Sequence, residues 1–106
     1  MTATVRRRHD PDALAAVQWP PDPLIEHVSA IASGSLVVVF GAQWVPVSGF
    51  VAAHWLDKEP DRVRFVDAER SPHLCEQYSI VTLPTVLRLL NGAEKARFIG
   101  LRTLTR

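Results

Sequence analysis

Few side chains in this sequence of 106 residues are equipped for covalent chemistry, and they are scattered. Cys75 is the only thiol, which excludes an internal disulfide and any multi-cysteine zinc site. On its own it could serve as a peroxidatic or glutathionylated nucleophile. His73 lies two positions away, but residues i and i+2 of a helix point to different faces, so the pair makes no ligand edge. His27 and His54 fall on amphipathic stretches and read as surface or boundary residues. Ser48 has a hydroxyl, which stays inert without a base. The nearest downstream histidine, His54, lies about 240° around a helix from Ser48 and cannot serve. Neither a metal nor a cofactor is expected, and Cys75 reads as a packed or half-exposed thiol.

The elements that would hold these residues are easier to read. Leu36 to Phe40 is an unbroken apolar run, as expected of a strand buried on both faces. The loop after such a strand, Gly41 to Ser48, is where open α/β folds place their chemistry. Before it, Leu24, Ile25, Val28, Ile31 and Ala32 recur at helical spacing, predicting a helix over 23–32 ended by Ser33-Gly34-Ser35. After it, Phe50, Val51, His54, Trp55 and Leu56 predict a helix from near Val47 to near Lys58. Val63 to Asp67 alternates as a strand, with Val63, Phe65 and Asp67 to one side and Arg64 and Val66 to the other. Ser71-Pro72 fits an N-cap and first-turn proline for a short helix carrying Leu74, Cys75 and Tyr78. Asn91-Gly92 between Val86–Leu90 and Lys95–Ile99 is a strong hairpin signal. At the N-terminus, Asp10-Pro11 predicts a short helix over 12–17, Thr2 to Val5 fits an edge strand, and residues 1–22 read as an arm and linker.

That order, with Ala42-Gln43-Trp44 after the first buried strand and Leu83-Pro84-Thr85 before the hairpin, resembles the thioredoxin fold over roughly 23–101. The resemblance implies a central mixed sheet with helices on both faces and an antiparallel hairpin of last strands, in a domain over 23–106. The C-terminal helix would be missing or truncated, because only Gly100 to Arg106 remain to form it. In that family the active loop reads W-C-G-P-C; here it reads Trp44-Val45-Pro46-Val47-Ser48. The first family cysteine is a thiolate that attacks a disulfide and the second resolves the mixed disulfide. Val45 and Ser48 stand in those places. Val39 stands where the family commonly carries a proton-moving aspartate. The expectation is a redox-inactive module, without catalytic residues in a degenerate loop.

A narrower resemblance is to the thioredoxin-like domain of multidomain monothiol glutaredoxins of the PICOT type. Pro46 falls second after the loop tryptophan as it does there, and Asp67-Ala68-Glu69, Pro72, Glu76, Tyr78 and Ile80 keep that domain's downstream spacing. The departures are Val45 for alanine and Ser48 where a cysteine is often kept. This resemblance implies a role in cytosolic iron, Fe-S and redox homeostasis beside a covalently linked glutaredoxin domain, although the C-G-F-S signature of such a domain is absent from these residues. A thioredoxin-like adaptor in an unrelated assembly, such as one that processes RNA, is the other context.

The thioredoxin resemblance also implies a cis bond before Pro84. Trp44, Val45, Pro46 and Val47 would then form an apolar groove with Leu83 and Pro84, able to dock a protein partner by strand-like hydrogen bonds. Charge does not choose that partner: 12 Lys and Arg stand against 11 Asp and Glu, for a net +1. Arg6, Arg7 and Arg8 read as a solvated arm rather than a nucleic-acid contact, and no nucleic acid is expected. Trp19, Trp44 and Trp55 read as core or boundary residues. No apolar run approaches the roughly 20 residues a bilayer span needs, so no membrane role is expected. The cytoplasm is the expected compartment; the basic start faintly suggests organellar import.

Overall fold

The computed structural model describes residues 16–104. The proposed edge strand at residues 2–5 and most of the proposed helix over 12–17 lie outside them, and Ala16 and Val17 are in no helix. The sheet has four strands in the order β2-β1-β3-β4. Strand β1 (Ser35–Gly41) pairs in parallel with β2 (Val63–Asp67) and antiparallel with β3 (Thr85–Leu90), which pairs antiparallel with β4 (Ala93–Ile99). A strand with neighbours on both sides and cover on both faces must be apolar throughout. Strand β1 divides its side chains accordingly. Val37 and Val39 join one core, while Leu36, Val38 and Phe40 join the other.

Each core has its own helix. Helix α1 (Ser48–Lys58) buries Val51, Ala52 and Trp55 against Val37, Val39, Val63, Phe65 and Val86. Helix α2 (Pro72–Gln77) buries Leu74 on the opposite face with Val38, Phe40, Val66 and Leu87. The alternation expected of β2 holds: Val63 and Phe65 face α1, and Val66 faces α2. Trp19 completes the α1 face, set edge-on to Phe65 with ring centroids 5.9 Å apart.

The β3–β4 hairpin turns at Asn91 and Gly92, with φ of 51° and 81°. Two consecutive positive φ values are the type I′ geometry that Asn-Gly favours. The turn is also tied down, since Gly34 N donates to Asn91 Oδ1 at 2.9 Å and Asn91 N donates to Gly34 O at 2.9 Å. Both strands start earlier than their sequence patterns indicate, at Thr85 and Ala93.

The helix expected over 23–32 does not form. In its place an extended segment runs beside β2, with Ile25 N donating to Phe65 O at 2.7 Å and Phe65 N donating to Pro23 O at 2.9 Å. Only Val28–Ile31 coils, as a 3-10 turn. Those two bonds cover the edge of β2 and hold residues 23–25 extended, which a helix would forbid. The helical spacing of apolar residues was misleading: Ile25 and Ile31 are buried, whereas Val28 is exposed. Following β4, residues Gly100–Leu104 form a second 3-10 turn, where Thr103 O accepts the indole N–H of Trp55 at 2.8 Å.

Candidate functional site

The loop from Gly41 to Ser48 leaves β1 and enters α1. Val45 N donates to Ala42 O at 3.0 Å and Ser48 N to Val45 O at 2.9 Å, so the loop consists of two tight turns. The first pushes Trp44 outward until it is 65% exposed, which corrects its reading as a core or boundary residue. Ser48 is the first residue of α1 and is fully buried. Its Oγ accepts the N–H of Ala42 at 3.1 Å and so latches the loop shut. A Cβ on Gly41 would come within 2.7 Å of that oxygen, so the latch requires glycine there. Ser48→Ala should cost about 1–2 kcal/mol in a denaturant titration, because it strands a buried N–H.

Loop and helix α2 enclose a groove of about 460 Å³. Trp44 and Val45 form one wall, Ala68, Pro72 and Cys75 the second, and Ile80, Val81, Thr82 and Leu83 the lip. The sequence-based set is therefore divided. Trp44, Val45 and Leu83 do line the groove, but Pro46, Val47 and Pro84 are not among the lining residues. Val47 turns into the α1-side core, and Pro84 is buried just before β3, accepting a hydrogen bond from Gly100 N at 3.1 Å through its carbonyl. The Leu83–Pro84 bond is cis, as are Trp19–Pro20 and Asp22–Pro23.

Sequence reasoning missed the wall supplied by α2. Pro72 and Cys75, three apart on a helix, share a face. That spacing, followed by the apolar Ile80-Val81, was the available signal. The lip is held from the hairpin. Arg97 donates to Tyr78 O at 2.6 Å and to Ser79 O at 3.1 Å, while gripping both carboxylate oxygens of Glu94 at 2.8 Å. That hydrogen-bonded grip lowers the Glu94 pKa. Tyr78 in turn donates its hydroxyl to Gly92 O at 3.0 Å.

Cys75 is the one side chain on the groove with reactive potential, and its surroundings do not activate it. Burial raises its pKa, and the nearby Asp67 carboxylate raises it further. A thiol raised this way is a poor nucleophile at neutral pH. His73 faces elsewhere, its Nε2 lying 2.9 Å from Glu26 O. Val39, with no exposure, points from β1 into the α1-side core, the cluster that also holds Trp19 and Trp55. His54 is half-buried against Trp55, and burial lowers its pKa. No group of three His, Cys, Asp or Glu able to hold a metal occurs among the described residues. No helix among them is long and apolar enough to cross a membrane.

A mixed four-stranded sheet with helices on both faces, and a groove at the C-terminal end of its central parallel strand, define a thioredoxin-fold protein. Solved structures agree. Mitochondrial thioredoxin 3 of Saccharomyces cerevisiae superposes with a TM-score of 0.65 at 18% identity, over 77% of this chain and 86% of that one. The thioredoxin pre-protein of Schistosoma mansoni gives 0.63 at 18%, over 74% and 77%. Thioredoxin from Fasciola hepatica gives 0.57 at 25%, over 69% and 74%. No family model matches the sequence. A thioredoxin of Chlamydia trachomatis is 32% identical over 80 residues, spanning 69% of this chain and 76% of that protein. The chain belongs to the thioredoxin family.

Proposed function

We propose that this chain is a thioredoxin-family module without dithiol redox activity, which docks an extended apolar segment of a partner protein in the groove between Trp44 and Val81. The observation that carries the proposal is the combination of a formed groove of about 460 Å³ with valine and a latched serine at the two loop positions. Thiol–disulfide exchange by this family needs an attacking and a resolving sulfur. With a single cysteine the chain cannot cycle between dithiol and disulfide within itself. What the loop retains is shape and apolar surface, which favour binding by main-chain hydrogen bonds and side-chain pockets.

The family gives a second reading, a thiol enzyme that uses Cys75. The thioredoxin relative and the place of Cys75 on the groove favour it; the raised thiol pKa opposes it. Insulin-disulfide reduction with dithiothreitol separates the two. The docking reading expects the rate of dithiothreitol alone, and catalysis above that rate which disappears in Cys75→Ala would establish the enzyme. A setting beside a monothiol glutaredoxin domain rests on the spacing from Asp67 to Ile80. Four members of that pattern, Ala68, Pro72, Tyr78 and Ile80, line the groove or pack beside it, so packing alone accounts for them.

A further inference from the structure

We infer that the segment this groove accepts is apolar with a lysine or arginine immediately beside it, an inference that rests on the docking reading above. Two apolar side chains that line the groove are exposed: Trp44 is 65% exposed and Val81 is 91% exposed. Exposed apolar side chains gathered at one groove mark an interaction site. Two acidic residues adjoin its lining in sequence. Glu69 follows the wall residue Ala68, and Glu76 follows the wall residue Cys75; both are exposed, and neither has an ion-pair partner among the described residues. The Asp67 carboxylate lies beside Glu69, whose N–H it accepts at 3.1 Å.

The neighbouring cations are engaged. Arg70 lies 3.8 Å from Glu26, and Arg97 is held by Glu94 and by the carbonyls of Tyr78 and Ser79. His73 is turned to Glu26 O. Glu69 and Glu76 therefore leave unmatched negative charge next to an apolar lining, and a segment carrying positive charge at its flank complements both. Rim charges of this kind act mainly through association rate and selectivity, so the preference should weaken with salt.

The test uses the full chain and two fluorescein-labelled octapeptides that share a Val-Ile-Leu-Val core, one flanked by lysines and one by glutamates. Binding is followed by anisotropy at about 25 mM and about 300 mM salt. The lysine peptide should bind about three- to tenfold more tightly at the lower salt. The preference should shrink at the higher salt and in the Glu69→Gln/Glu76→Gln double variant, whose exposed positions leave the fold intact by circular dichroism. Equal affinity for the two peptides, or a preference for the glutamate peptide, overturns the inference and leaves the docking reading standing. Failure of both peptides to bind overturns both. If Arg6→Ser/Arg7→Ser/Arg8→Ser gains tenfold or more for the lysine peptide, the occupant is the chain's own basic arm and the inference fails.

Discussion

Replacing Val45 with aspartate is expected to weaken binding of an uncharged, serine-flanked Val-Ile-Leu-Val peptide by at least roughly thirtyfold. Val45 is a half-buried wall residue of the groove and is not part of either core cluster. The substitution removes apolar contact area and obliges the bound peptide to desolvate a carboxylate, two penalties that act together. The backbone bond from Val45 N to Ala42 O is independent of the side chain, so the loop should keep its turn. Isothermal calorimetry measures the loss, and an unchanged melting temperature shows that the fold is intact. Unchanged affinity would place the docking surface elsewhere.

The second large effect concerns stability. Trp55→Ala should destabilise the domain by about 3–5 kcal/mol in urea titration, a large part of the 5–15 kcal/mol typical of a domain this size. Trp55 has no exposed surface and is the largest fully buried side chain. Its ring stacks on Phe98 with centroids 6.4 Å apart. Lys58 Nζ and the Arg88 guanidinium lie 5.2 Å and 5.4 Å from its centre, and Arg88 is fixed by Glu59 at 2.6 Å. The indole N–H reaches Thr103 O, so one side chain joins α1, β3, β4 and the final 3-10 turn. Trp55→Phe should keep most of the packing and lose about 1 kcal/mol with the hydrogen bond. A loss below 1 kcal/mol in Trp55→Ala would contradict this account of the core.

Residues whose local signal agrees with their tertiary role were legible from sequence. The run from Leu36 to Phe40 has no polar break because both faces of β1 are covered, and Asn91-Gly92 can adopt the two positive φ values its hairpin requires. Val63 to Asp67 alternates because the two faces of β2 meet different helices. Residues 23–32 misled because their apolar periodicity is served by an extended segment followed by one 3-10 turn, a choice imposed by the hydrogen-bonding edge of β2. No window on the sequence of residues 23–32 contains that edge.

The candidate site was half legible for a similar reason. The loop and Leu83 are found by spacing within the chain, but the wall of Ala68, Pro72 and Cys75 comes from an element that folds back over the sheet. The exposure of Trp44 follows from a tight turn at Ala42 to Val45 that no hydrophobicity pattern encodes. Ser48 was read as a residue of the helix start; its latch to Ala42 N is a contact across six residues, visible only once the loop is folded.

The central claim is that the groove holds a partner by shape, with no bond to sulfur. Calorimetric titration of the Cys75→Ser chain with the serine-flanked peptide tests it most directly. Serine preserves the size of the side chain while removing the only thiol. The account predicts an affinity within about twofold of the unaltered chain. Loss of binding in Cys75→Ser, with the fold retained, would contradict it and assign the groove to thiol chemistry.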